Sequence, residues 1–266
     1  MSRLFEMMRD SEPLQKVLLP PPANVGLGPA EERDALQCLP VAQVQVRSES
    51  RIVAFTNRRS AAAERFRLLR MALKDSRVGD ASVRTVLISS ALPRDGKSTV
   101  TLNLATSLAY GSKTRVLVLE ADLRRPSLER YLGMAPAVGL ADILHGQLGP
   151  FAAIRRIEPL GFYLLPAGRM PDSATELLQR DKFGALVASL ALQFDWVLID
   201  SPPAAPLADT MVLKEYADAI LLVVRAGSTP REAVEETTRL LAPKSVIGVV
   251  LNGAEGLDRL YSEYYR

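Results

Sequence analysis

The chain has 266 residues, 48% apolar and 24% charged, with a net charge of +3. This is the composition of an ordinary globular protein, long enough to bury a core without staples, and the charge gives nucleic-acid binding no support beyond a mild positive sign. Cys38 and His145 are the only residues of their types, which excludes an intramolecular disulfide, a cysteine-rich metal site and zinc chemistry; His145 reads as a solvated or packed residue rather than a general base.

The N-terminus lacks the basic stretch and apolar run of a signal peptide. The longest apolar stretch, 217–224, is interrupted by Asp218 and too short for a bilayer. The chain therefore reads as cytosolic, or as held at a membrane by something else. Residues 1–50, with Pro20, Pro21 and Pro22 and the small residues around Gly26, Gly28 and Pro29, show no sustained period and predict a flexible or partly extended arm. Within it, 14–19 is either a docking run or simply disordered.

A helix is predicted over 58–74, with Phe66, Leu69 and Leu73 on one face. A repeating βα pattern follows. Strands fit 85–90, 115–119, 161–165, 195–200, 219–224 and 246–251, and helices fit 97–109, 182–192 and 231–241. Alternation of this kind predicts an α/β fold, a doubly wound and mostly parallel sheet with its ligand beyond the carboxyl ends of the strands.

The first strand runs through Ala91-Leu-Pro-Arg-Asp-Gly-Lys-Ser-Thr99 into a helix. Strand, Gly-Lys-Ser turn and helix together form the phosphate cradle of a P-loop NTPase fold, in which backbone N–H groups and the helix N-terminus wrap a phosphate. Arg94, Asp95, Gly96, Lys97, Ser98 and Thr99 are the candidate nucleotide contacts. Lys97 suits the β/γ-phosphate oxygens of ATP, and Ser98 suits Mg²⁺. Ala91 stands where this loop usually has its first glycine.

Two later strands end in acid: one in Glu120 and Asp122, the other in Asp200, followed by Ser201-Pro-Pro. A magnesium nucleotide needs such carboxylates at this edge of the sheet; the plain alternative is an acid capping the next helix. Arg124 and Arg125 read either as phosphate or interface contacts or as solvated charges. Asn252, ending the last strand, either meets the base or caps the following turn.

These segments resemble the bacterial tyrosine kinases of polysaccharide export, the BY-kinase family, over roughly residues 60–266. The motifs that carry the resemblance are the Gly-Lys-Ser-Thr loop at 96–99, Leu117-Val-Leu-Glu-Ala-Asp-Leu-Arg124, Val197-Leu-Ile-Asp-Ser-Pro-Pro203, the spacing of Glu64, Arg67 and Arg70 on the early helix, and a terminal tyrosine cluster. The sequence departs from the family in Glu120, where an aspartate normally stands, in Arg94, where glycine is common, and in a short cluster of Tyr261, Tyr264 and Tyr265.

The resemblance implies a kinase domain over 51–255 and a tyrosine tail over 256–266. It implies transfer of the ATP γ-phosphoryl group to Tyr261, Tyr264 and Tyr265 of a neighbouring subunit, with Lys97, Glu120, Asp122 and Asp200 catalytic and Ser98, Asp122 and Asp200 placing Mg²⁺. Glu120 and Asp122 both qualify to orient or deprotonate the tyrosine. It further implies a ring, octameric in the family, through Glu64, Arg67 and Arg70, although such a triplet is ordinarily a solvated face. A transmembrane chain-length regulator as activator, a tyrosine phosphatase and a location at the inner face of the cell membrane complete the expectation. Without the resemblance, Tyr261 and Tyr265, four apart, read as packing on a terminal helix.

Two other classes share these features. One is an ATPase switch of the partitioning or division-site type, which usually carries a further lysine early in the loop, where this chain has Leu92 and Pro93. The other is a silent nucleotide-binding adaptor of the polysaccharide machinery, which Glu120 and Arg94 keep open.

Overall fold

The computed structural model describes residues 36, 38–111, 113–179, 181–205, 207–242 and 246–254. Its centre is strand β4 (Thr85–Ser90), all six residues of which are buried. It is flanked by β8 (Trp196–Asp200) and β9 (Ala219–Arg225), with β5 (Val116–Glu120) beyond β8 and β10 (Val246–Asn252) at the edge beyond β9. Runs such as Thr-Val-Leu-Ile and Trp-Val-Leu-Ile are apolar at every position because both faces of a parallel sheet are covered.

The full order is β1-β6-β7-β5-β8-β4-β9-β10, with β1 at Val41–Gln43, β6 at Arg155–Glu158 and β7 at Phe162–Leu165, while β2 (Arg77–Val78) and β3 (Ala81–Ser82) form a separate antiparallel pair. All neighbouring pairs are parallel except β6 with β7. The fold is thus the doubly wound, mostly parallel P-loop NTPase architecture, with an edge of two reversed strands.

Helix α1 (Val53–Thr56) and α2 (Ala61–Lys74) pack with α3 (Lys97–Ala109) on one face of the sheet. There α3 buries Val100, Leu102, Leu104 and Leu108 against Val86, Ile88, Val118 and Leu198. Leu87, Leu117, Val197 and Ile199 alternate with those positions and are buried on the other face. The remaining helices are α4 (Leu128–Tyr131), α5 (Leu140–Leu144), α6 (Ala174–Leu178), α7 (Asp181–Gln193), α8 (Ala208–Leu213) and α9 (Arg231–Leu241). Among the described residues no helix is long and apolar enough to cross a membrane.

Three details correct the sequence expectations. The 1–50 arm is too long: Val41–Gln43 pair with Arg156–Glu158. Ala42, Val44 and Val46 alternate with Gln43, Gln45 and Arg47, and this period of two seats the apolar members against the core. The early helix begins at Ala61 rather than Arg58, because Ser60 Oγ caps it by accepting from Ala63 N at 3.1 Å. Strand β6 gave no signal, since Arg155, Arg156 and Glu158 surround a single buried apolar residue, Ile157.

Candidate active site

The register of the sheet sets the site. Ile88 and Glu120 both pair with Asp200, so the strands carrying the phosphate loop and the two acidic motifs end level. Between β4 and α3 the loop turns through two left-handed residues, Arg94 at φ 71° and Gly96 at φ 100°. Gly96 is required twice over: its φ suits glycine, and a Cβ there would lie 2.0 Å from Asn252 Nδ2. Arg94 adopts the glycine-like conformation without being glycine, and its side chain is exposed.

Lys97 Nζ lies 3.2 Å from Asp122 Oδ2, with both side chains largely buried. Ser98 Oγ donates to Asp200 Oδ2 at 2.7 Å, and Thr101 Oγ1, one turn on, donates to Oδ1 at 3.2 Å. Ser127 Oγ approaches Ser98 Oγ at 3.3 Å. Lys97, Ser98, Asp122 and Asp200 therefore meet at one place. Asp200 has no exposed surface, and burial is the main cause that raises its carboxyl from 3.8 to about 7, against the pull of Lys97 and the Ser98 hydroxyl.

Glu120 is used differently. Its Oε1 accepts from the backbone N–H groups of Ser127 at 2.5 Å and Leu128 at 2.8 Å, and Oε2 from Ala167 N at 3.3 Å. It anchors the start of α4 and the loop after β7. The extra methylene relative to aspartate supplies this reach. Burial raises its carboxyl above the ordinary range despite the three amides.

Asp95 turns inward, 4% exposed, accepting from Leu92 N at 2.9 Å and Thr229 Oγ1 at 2.7 Å. Asn252 Nδ2 donates to the Asp95 carbonyl at 2.8 Å. These two sequence candidates thus have partners within the loop's own scaffold. Thr99 lies in the first turn of α3, where its carbonyl accepts from Asn103. Arg124 joins neither phosphate loop nor solvent alone: it pairs with Asp209, while Arg125 is exposed and gives its backbone N–H to Asp122 at 3.1 Å. On α2, Arg67 Nε donates to Glu64 Oε2 at 2.8 Å, and Arg70 Nη1 donates to the Ser107 carbonyl at 2.9 Å. Tyr261, Tyr264 and Tyr265 lie outside the described residues.

Sequence reading missed Thr101, Thr229, Ser127 and Asp209. Only Thr101 had a local signal, being four residues after Lys97 on the same helix face; Thr229 and Asp209 reach the site from segments distant in sequence, and Ser127 lies in the short segment before α4, without a periodic pattern.

The donor set fits a magnesium nucleotide. Hydroxyl and carboxylate oxygens are hard ligands of the kind Mg²⁺ takes, a lysine stands beside them, and the loop leads into a helix N-terminus. Fold and loop together define a P-loop NTPase domain.

No family model matches the chain. It is 30% identical over 220 residues to the tyrosine-protein kinase YwqD of Bacillus subtilis, covering 82% of this chain and 91% of that protein. It is 34% identical over 226 residues to the succinoglycan biosynthesis transport protein ExoP of Rhizobium meliloti, covering 78% of this chain. Among solved structures, the kinase domain of the Escherichia coli tyrosine kinase ETK superposes with a TM-score of 0.73 at 26% identity, covering 86% of this chain and 95% of that domain. The chain belongs to the bacterial tyrosine-kinase family. It spans nearly all of YwqD but only 28% of ExoP, and 27% of another relative, a tyrosine-protein kinase of Acinetobacter johnsonii.

Proposed function

We propose that this protein is a tyrosine autokinase that uses Mg²⁺-ATP to phosphorylate Tyr261, Tyr264 and Tyr265 on neighbouring subunits, and so regulates polymerisation and export of a polysaccharide. The observation that carries this reading is the convergence of Lys97, Ser98, Asp122 and Asp200 at one end of the phosphate loop. Phosphoryl transfer needs little more than positioning and neutralisation of charge. Lys97 and the loop amides bind and neutralise the phosphates. Ser98, Asp122 and Asp200 hold the metal. Bound magnesium supplies the remaining positive charge on the phosphates.

A tyrosine hydroxyl, with a pKa of about 10, reaches the site neutral and needs an acceptor for its proton. Between the two candidates the partners favour Asp122. Only its Oδ1 accepts a backbone N–H, from Arg125, and its Oδ2 faces the Lys97 ammonium, whereas both oxygens of Glu120 are occupied by backbone N–H groups. Glu120 holds the loop in place.

Ring assembly through Glu64, Arg67 and Arg70 belongs to the same proposal. Its support is that Leu68 and Met71, exposed at 48% and 58%, lie on α2 among those charges. A role in polysaccharide biosynthesis and transport is supported by the relative named for succinoglycan; a place at the inner face of the membrane, a membrane-spanning activator and a counteracting phosphatase complete the proposal.

The test is the intact mass of the purified chain after incubation with Mg²⁺-ATP, with the cytoplasmic segment of a membrane partner added. Successive phosphoryl additions are expected in the wild type and none in Lys97→Met or in the variant with phenylalanine at all three tyrosines. ATP hydrolysis without additions overturns the kinase reading in favour of a switch ATPase. Nucleotide binding without turnover leaves an adaptor.

A further inference from the structure

Outside the site just described, the Asp209 carboxylate on α8 is buried and accepts three hydrogen bonds. Its side chain is 1% exposed. Arg124 Nε donates to Oδ2 at 2.6 Å and Nη2 to Oδ1 at 3.2 Å, and the Thr175 hydroxyl also donates to Oδ1. Arg124 Nη2 has a second acceptor, Thr175 Oγ1, at 3.0 Å. The guanidinium is thus tied to two other elements, α6 through Thr175 and α8 through Asp209.

The next residue on α8 is tied in the other direction. Thr210 Oγ1 donates to the Pro202 carbonyl at 2.9 Å, an oxygen that also accepts from Ser89 Oγ at 3.0 Å. Pro202 is two residues after Asp200, and Arg124 two residues after Asp122. One turn of helix therefore grips both acid-bearing loops at the same offset from their carboxylates. Asp209 and Thr210 are buried at adjacent positions of α8.

We propose that Asp209, seconded by Thr175, is a positioning residue for the metal–nucleotide site: by holding Arg124 it fixes the loop of Asp122 to the helix that Thr210 fixes to the loop of Asp200. The inference rests on the proposed use of Mg²⁺-ATP. Its physical basis is the narrow tolerance of magnesium, which demands near-octahedral oxygens at about 2.1 Å and is held poorly if its carboxylates move apart. A buried carboxylate costs free energy unless it is paired and bonded, and here the pairing adds a side-chain tie between two loops whose backbones are joined by the Ala121 N–H donating to the Asp200 carbonyl at 2.8 Å. Burial alone would raise the Asp209 carboxyl; Arg124 and Thr175 outweigh it and hold the group below its ordinary range, so it stays the charged partner of Arg124.

The experiment uses the full chain and a fluorescent ATP analogue as probe. Affinity is measured without metal and then across a Mg²⁺ titration, in the wild type and in Asp209→Asn, Arg124→Lys and Thr175→Val. Outer partners of metal ligands are worth 10- to 100-fold in metal affinity, so Asp209→Asn and Arg124→Lys should each raise the half-saturating Mg²⁺ concentration about tenfold. Metal-free affinity should stay within about twofold, and the double variant should be no worse than the poorer single one, since both break one link. Thr175→Val, which leaves the ion pair and the fold, should shift the Mg²⁺ midpoint in the same direction by a few-fold, and decides the matter if Asp209→Asn does not fold. A lowered melting temperature with an unmoved Mg²⁺ midpoint would overturn the proposal and leave a structural ion pair. A wild type that does not bind the probe at all overturns the nucleotide reading itself, and this inference with it.

Discussion

Lys97 Nζ and Asp122 Oδ2 stand 3.2 Å apart at the mouth of the phosphate loop, so the cation proposed for phosphate is neutralised by the carboxylate proposed for metal. Each is the other's counterion until both receive ligands. Replacing the lysine alone leaves Asp122 unpaired beside Asp200 and Glu120. Lys97→Met should therefore abolish tail phosphorylation and also destabilise the chain by about 1–3 kcal/mol. Lys97→Met with Asp122→Asn should recover most of that stability without activity. Denaturant unfolding combined with intact mass checks both; recovery of phosphorylation in the double variant would contradict the assignment.

The phosphate loop carries one residue that cannot change and one that can improve. Gly96→Ala places a Cβ on the Asn252 amide and should remove nucleotide binding. Pairing it with Asn252→Ala relieves the collision but not the positive φ. Arg94, exposed and left-handed at φ 71°, costs about 1–2 kcal/mol relative to glycine. Arg94→Gly should accordingly stabilise the fold by about 1 kcal/mol, read as a higher denaturation midpoint, less the entropy glycine restores to the unfolded chain.

Asp200 makes stability depend on pH. Its carboxyl is raised from 3.8 to about 7, chiefly by burial. Between those values the folded chain keeps a proton that the unfolded chain has lost, so unfolding free energy falls as pH rises. The contribution is complete below pH 3.8 and lost once pH passes about 7. Asparagine mimics the protonated form. Wild-type stability minus that of Asp200→Asn should thus decline from pH 4 to pH 7 in the absence of metal, by at most on the order of 4 kcal/mol. A difference that is flat or grows over this range would show that the group is ionised when buried.

Glu120 is the anchor of α4, so its length matters more than its charge at the metal. Glu120→Asp withdraws the carboxylate from the Ser127, Leu128 and Ala167 amides and should destabilise by about 1–3 kcal/mol, the cost of leaving buried donors unmet. Glu120→Gln, which keeps the reach, should cost less and retain activity. A greater loss of activity in the glutamine variant would return Glu120 to the role of proton acceptor.

Much of this is written in the sequence. The helix 97–109 and the central parallel strands stand out because a fully buried strand writes an unbroken apolar run and a covering helix writes a 3.6 period. The phosphate loop stands out because glycine, lysine and serine at that spacing have one common use. What stayed hidden depends on distance in sequence. Thr229 reaches Asp95 across 134 residues and Asp209 reaches Arg124 across 85, and no local pattern encodes either. Glu120 was legible as an acid at a strand end, but its partners are amides at the start of a helix too short to announce itself and of Ala167, 47 residues on. Strand β1 was lost to the prolines upstream, although its alternation of Ala42, Val44 and Val46 with polar residues was present.

The two reversed edge strands have a consequence for reach. Because β1 runs against the central strands, the chain enters the sheet at Val41 on the edge where β5, β8 and β4 end, and β10 leaves by that same edge at Asn252. Both exits of the domain open toward the phosphate loop. Tyr261 and Tyr265 follow Asn252 by nine and thirteen residues, and an extended chain spans at most about 3.5 Å per residue. The two tyrosines therefore lie no farther than about 30 Å and 45 Å from that edge, which caps how far away the loop of a neighbouring subunit can stand under the proposed tail phosphorylation.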